Sequence, residues 1–434
     1  MVTHAVEGSW RELRYTAGEV FDFLFPLVMM DVARRRLTGA EIGPPGFGPS
    51  NRWCHFRALP SAGFSKEFSR PSFDVLYSSL WADLRNGPIH IHKPHSNRYH
   101  TLQMMDYYAE TFHTVGSRTT GQRELDMLLV SPFEELPDVT DEIDVVVCPT
   151  PIVWLVCRVS CDESEDLTTV HHFQDKLGID ILGTGVSQLA RIPVQTEPLD
   201  YVHSLSGAEF FEYGLELMDE HPPHFVDQPM VALMERLGFV PGMILDTDDE
   251  LAEMLTEVKD QRMRELVNDF ATGDTVLGWT TNTNLGAYGA NYKQRAATVL
   301  MGIAAMRPED IVYSIADQDG AGEPLFGENT YELTFRAGEL PPAQANWSLT
   351  AYDADGVAHE NEWSKYKISN SDDLMYHGDG ALTVFISNTP QEPFSNWLPA
   401  PRGAVSLVLR LYSPERKVLN GFWTPPGINL RAYG

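Results

Sequence analysis

Two hydrophobic rhythms alternate along the chain, one helical and one strand-like. Residues 11–37 place Phe21, Leu24, Leu27, Val28 and Val32 at helical spacing, and Pro26 is expected to kink this helix or split it. After an irregular loop, "GPPGFGPSN" (43–51), the period falls to two. In "FDVLYSSLWADL" (73–84), Leu76, Leu80 and Leu84 share one face with Ser78 and Ala82, whereas Val75, Tyr77, Ser79 and Trp81 share the other. "RYHTLQMMDYY" (98–108), "LDMLLVSP" (125–132) and "IDVVVCPTPIVWLVCRV" (143–159) continue the pattern, with turn residues between them, as a mainly antiparallel unit requires.

Between 167 and 275 the helical rhythm returns. "TDDELAEMLTEVKDQRMRELVNDF" (247–270) opens with a capping box from Thr247 to Glu250 and aligns Leu251, Leu255, Val258, Leu266 and Phe270. The break "EHPPHFVDQP" (220–229) separates it from a helix around 207–219. A helical stretch near 291–306 precedes a second alternating set: "TYELTFRA", "NWSLTAYD", "ALTVFISN" and "AVSLVLRLYS". The pattern predicts a β-rich α+β fold. Two antiparallel β units, the C-terminal one a jelly-roll-like sandwich, are joined by a helical segment. The expected boundaries are 1–166, 167–275 and 276–434.

Charge narrows the partners. Against 32 Lys and Arg stand 61 Asp and Glu, a formal net charge of −29, so nucleic acid and anionic membranes are not expected as partners. Runs such as "EELPDVTDEID" (134–144) and "CDESEDL" (161–167) read as solvated loops. No basic, then apolar, leader opens the sequence and no apolar run approaches a bilayer's thickness. Cys54, Cys148, Cys157 and Cys161 show neither a CxxC pair nor disulfide-framework spacing. A cytoplasmic protein, a homo-oligomer among the options, is the simplest expectation.

The familiar chemical signatures are missing. The sequence has no Walker A segment, no GxGxxG between strand and helix, no HExxH and no GxSxG. The cluster "GTGVS" (183–187) lacks the third glycine. His90 and His92 would point to one face of a strand, as two ligands of one metal must, yet the prolines at 88 and 94 also fit an exposed hairpin. "DQDG" (317–320) and "DADG" (353–356) begin like calcium loops but do not continue as such, and Asp-rich turns are the commoner explanation. No cofactor is therefore expected.

Several longer stretches occur together, in order: "FPLVMMDVARR" (25–35), "RPSFDVLYSSLWADL" (70–84), "RYHTLQMMDYYAETFHTVGSRTTG" (98–121), "MLLVSP" (127–132), "NLGAYGANYKQRAA" (284–297), "AGELPPAQANWSLTAYDADG" (337–356), "SNWLPAP" (395–401) and "LVLRLYSPERKVLNGFWTPP" (407–426). In these the chain resembles a widespread, mostly bacterial two-domain family, both of whose domains are of unknown function. The resemblance implies a β-rich N-terminal domain, a helical connection and a C-terminal jelly-roll-like sandwich. It brings no reaction with it, and many relatives look like envelope or secreted proteins. Asp74, Leu76 and Tyr77 keep the family pattern, but Ser72, Val75, Ser364 and Lys365 stand where the family usually has Asn, Thr, Asn and Arg.

The polar residues within these stretches suit an acid/base pocket between domains. The expected catalytic set is Asp74, Asp353, Tyr288, Tyr292 and Arg295, and the expected substrate-binding set is Tyr77, Asp106, Arg118, Asn284, Trp347, Asn396 and Trp397. A carboxylate can take a proton, a tyrosine can return one, and Arg or Asn can hold an oxyanion. Spacings of four and three put Tyr288, Tyr292 and Arg295 on one helical face. Asp74 and Tyr77, three apart on a strand, face opposite sides. The expectation is a cofactor-independent enzyme acting on a small, partly apolar molecule by hydrolysis, elimination, isomerisation or cyclisation, in a specialised biosynthetic pathway. The alternatives are a carbohydrate- or lipid-like-ligand binding protein and a jelly-roll assembly protein.

Overall fold

The computed structural model describes residues 9–39, 43–60, 70–136, 142–161, 167–183, 194–245, 247–270 and 274–431. Parts of both acidic runs and most of the 183–187 glycine cluster lie outside the described residues.

The N-terminal unit contains β1 (Cys54–His55), β2 (Val75–Asp83), β3 (Ile89–Lys93), β4 (His100–Met105), β5 (Thr111–Gly116), β6 (Leu125–Val130), β7 (Ile143–Val147), β8 (Ile152–Ser160) and β9 (Gly178–Ile181). One sheet has the order β1-β2-β8-β4-β5 and the other β7-β6-β3-β9. All pairs are antiparallel except β6–β7. The prolines of "CPTPI" divide the apolar run 143–159, so β7 and β8 fall in different sheets.

The alternation in β2 is realised on both of its faces. Leu76, Leu80 and Ala82 pack into the core between the two sheets, while Trp81 joins a second core formed with helices. The central β8 behaves likewise: Val153, Leu155 and Cys157 face one core, and Ile152, Trp154 and Val156 face the other. Burial on both faces is why this strand reads as a continuous apolar run.

The helices are α1 (Ser9–Thr38), α2 (Leu167–Asp175), α3 (Pro198–Ser204), α4 (Gly207–Glu220), α5 (Gln228–Arg236), α6 (Asp249–Phe270), α7 (Tyr292–Met301) and α8 (Arg416–Leu419). The expected division at Pro26 does not occur, and α1 is one helix. Proline removes only one backbone donor, whereas Phe21, Phe23, Leu24, Phe25, Leu27 and Val28 are all fully buried around it. The cap of α6 also differs from expectation: the Asp248 carboxylate, not Thr247, accepts from the Leu251 N–H at 2.9 Å. The connecting segment is not purely helical, since β9 completes the first unit's small sheet.

The C-terminal unit holds β10 (Asp274–Val276), β11 (Trp279–Thr281), β12 (Ile311–Ala316), β13 (Tyr331–Phe335), β14 (Ala343–Asp353), β15 (Lys367–Ser369), β16 (Leu382–Ser387), β17 (Trp397–Pro399), β18 (Val405–Pro414) and β19 (Ile428–Leu430). Its sheets run β10-β11-β12-β18-β14-β15 and β17-β16-β13-β19. Leu333, Val384 and Leu398 of one meet Leu349, Leu407 and Leu409 of the other, which makes this the jelly-roll-like sandwich. Among the described residues no helix is long and apolar enough to cross a membrane.

Candidate functional site

The polar residues expected to form one pocket separate into distinct places. Asp74 is buried at the junction of the two β units. It pairs with the Lys367 ammonium at 2.7 Å and accepts from the Ser348 and Tyr412 hydroxyls at 2.5 and 3.0 Å. Burial alone would raise its pKa, but Lys367, with those hydrogen bonds, holds it below the ordinary carboxylate range. With its oxygens so engaged, Asp74 locks the interface. Arg118 does similar work, with both arms on Asp310 at 2.7 and 3.0 Å. Tyr77 packs under the Arg158 guanidinium, 5.5 Å from the ring centre.

Asp353 ends β14 in the hairpin turn, where it accepts from the Asp355 and Val357 N–H groups and meets His359 at 2.7 Å. Asp319 caps the DQDG turn in the same way, through the Ala321 and Glu323 N–H groups. Both aspartates thus serve their own backbone, as turn residues do. Trp347 and Trp397 are buried in the sandwich and offer no aromatic platform. Asn396 joins backbone groups of Met375 and Thr383, and Asn284 is exposed.

Four of the expected residues do meet: Asp106, Tyr288, Tyr292 and Arg295. The turn between β4 and β5 supplies Asp106, whose carboxylate accepts from the Tyr108 and Glu110 N–H groups at 2.8 and 3.2 Å. Glu110, from the same turn, accepts from the Tyr288 and Gly289 N–H groups at 2.9 and 2.8 Å, tying the turn to the loop before α7. Gly286 closes this junction. Its carbonyl accepts from the Thr111 N–H at 2.7 Å, its φ is +77°, and a Cβ there would stand 2.7 Å from the Arg307 nitrogen.

Arg295, on α7, is fully buried. Its guanidinium lies 5.3 Å from the Tyr292 ring centre, 5.7 Å from Tyr108 and 5.9 Å from Phe23. Asp227 Oδ1 and Glu110 Oε1 are 3.9 and 3.8 Å away, beyond hydrogen-bond reach. All three of its nitrogens, and Asp227 Oδ1, are without a hydrogen bond to the described residues. Buried donors of this strength are rarely left so, and each case calls for a reason.

His224 closes one side from the Pro-rich segment between α4 and α5. Its Nε2 is 2.7 Å from Asp106 and its Nδ1 3.3 Å from Asp227. Burial lowers its proton affinity, but the two carboxylates outweigh that and bring its pKa up to about 10, so the ring is an imidazolium at neutral pH. Burial raises the Glu110 carboxyl above its usual range, despite Arg295. Tyr288 and Tyr292 are pushed up to about 12, mainly by burial. Outside, Tyr292 also lines a groove of about 610 Å³ between α1, α6 and α7, together with Tyr15, Asp22 and Arg262. Glu110, His224 and Asp227 escaped the sequence reading, which treated "EHPPHFVDQP" as a mere break. Two histidines and an aspartate stiffened by prolines were the available signal.

The model for a protein of unknown function (DUF1254) matches residues 50–180, and a second such model (DUF1214) matches residues 310–416. Asp106 and Glu110 fall within the first match, whereas His224, Asp227, Tyr292 and Arg295 lie between the two. No curated protein matches the chain. Among solved structures, the VPA0106 protein from Vibrio parahaemolyticus is 19% identical with a TM-score of 0.74, over 96% of this chain and 100% of that one. A putative uncharacterized protein from Burkholderia cenocepacia is 11% identical with a TM-score of 0.45, over 96% and 93%. The Vibrio likeness, over both β units and the helices between them, is one of fold; the two domain matches, in order along one chain, are what assign this chain to the two-domain family that pairs these domains of unknown function.

Proposed function

We propose that the protein is an enzyme that works with its own side chains, by acid/base and electrostatic catalysis, on a small molecule bearing an anionic or strongly polarised oxygen. The observation that carries this reading is the buried Arg295, whose donors no described residue satisfies, beside a carboxyl of raised proton affinity and an imidazolium. Perturbed ionisable groups converging at one place are the usual mark of a reactive site. In this reading Arg295 holds the oxygen, Glu110 moves a proton, and His224, its two N–H groups held by Asp106 and Asp227, contributes positive charge beside the site. Phe23, Tyr108 and Tyr292 give the cage its apolar walls, and the groove beside Tyr292 is the approach. The biosynthetic and cytoplasmic setting expected from the sequence belongs to the same proposal.

The test is a thermal-shift screen of small carboxylates, phosphates and fractionated cell extract, followed by mass spectrometry of extract incubated with the protein. A ligand at a hundred times its dissociation constant adds about 2.7 kcal/mol. Stabilisation that Arg295→Lys abolishes, with masses consumed by the wild type but not by Glu110→Gln, is the expected result. Stabilisation without turnover would leave a binding protein. If no anion or fraction stabilises the wild type, the site is retired.

A further inference from the structure

The outer face of the first unit's small sheet carries a second cluster, which shares no residue with the Arg295 site. On β3, His90 and His92 project to the same side, as residues two apart on a strand must. The antiparallel register sets Asp126 of β6 directly opposite His92, and Asp180 of β9 opposite His90. Glu124, two residues before Asp126, adds a carboxylate to the same face. His92 Nδ1 and His90 Nε2 each stand 3.0 Å from one oxygen of Asp126, and His90 Nδ1 is 3.3 Å from Asp180. Ligand atoms of His92, Glu124 and Asp126 all lie within 4.8 Å of one another. The other neighbour of His92 is Gly178, where a Cβ would come within 2.9 Å of the His92 Cβ. Glycine there leaves the ring room to turn.

We propose that His92, Asp126 and Glu124 bind a divalent transition ion of zinc's class. His90 acts as the outer partner that holds the Asp126 carboxylate while Asp180 holds His90. Imidazole with carboxylates is a donor set for such ions, whereas magnesium and calcium prefer oxygen alone. With metal–ligand bonds of about 2.0–2.1 Å, neighbouring ligands of a tetrahedral site are about 3.3 Å apart, close to the 3.0 Å between His92 and Asp126. Glu124 is exposed, so side-chain rotation can bring it in and a water can complete the shell. The ion would tie β3 to β6.

Zinc itself is the probe. Tag-free protein, stripped with EDTA and dialysed, is titrated with zinc against a chromophoric chelator, with melting temperatures recorded alongside. The expected result is one equivalent bound at micromolar affinity or tighter, with a rise in melting temperature. His92→Gln and Asp126→Asn should each weaken binding at least tenfold, and His90→Gln should weaken it about tenfold, as outer partners of metal ligands do. All three side chains are partly exposed on a sheet face, and unchanged circular dichroism of the variants confirms that they fold. Less than one equivalent at 50-fold excess zinc, or equal binding by wild type and the folded His92 and Asp126 variants, would overturn the proposal.

Discussion

His224 sits between two carboxylates, and its chemistry follows from that position. Its pKa is raised to about 10, so its contribution to stability is complete below the ordinary histidine value and is lost as pH rises toward 10. The unfolding free energy of the wild type should therefore fall between pH 7 and 10 more steeply than that of His224→Gln. Ring-nitrogen NMR checks this directly: a titration midpoint below 8 contradicts the assignment. Arg295 gives a second expectation. Arg295→Met strips the buried positive charge that faces Asp227 Oδ1 and the Glu110 carboxylate, so it should cost about 3–5 kcal/mol in denaturant unfolding. The grouping of Tyr292 with Arg295, three apart on α7, was legible in the sequence because the helix imposes it locally, whereas Tyr288, expected on the same helical face, lies in the loop before the α7 cap at Asn291. Glu110 and His224 were not, because they reach Arg295 only once a hairpin turn and a distant loop fold against that helix.

Helix α6 shows how closely sequence rules locate an element and where they slip. Thr247, Asp248 and Asp249 all precede its first apolar residue, and any of them can cap. The structure selects Asp248. Asp248→Ala should accordingly cost about 1 kcal/mol, while Thr247→Ala stays within about 0.5 kcal/mol; equal losses in urea melts would return the cap to Thr247. In α1 the local signal at Pro26 was real, but tertiary burial of the residues around it dominates a single lost hydrogen bond. The strands fared best, since alternation over six or more residues records which faces are covered.

The two β units are joined through Asp74, and this contact makes an acid-sensitive lock. Its lowered pKa means that its contribution is present above the ordinary carboxylate range and is lost as pH falls through its folded-state value. Lys367→Met leaves a buried carboxylate unpaired, which should cost about 3–5 kcal/mol, and should move the acid-unfolding midpoint to higher pH. An unchanged midpoint by circular dichroism would show that the lock is elsewhere. The sequence by itself determined the β-rich class, the order of strands and helices, the paired-domain family and the pairing of Tyr292 with Arg295 on α7, because each is written in short-range periodicity or in contiguous motifs. The tertiary structure alone decided that Asp74 is a fastener, that Trp347 and Trp397 are core, and that the Arg295 cage is completed by a loop outside both matched domains. The fastener and the cage depend on which surfaces meet across more than a hundred residues of chain, and periodicity carries no information about contacts at that separation.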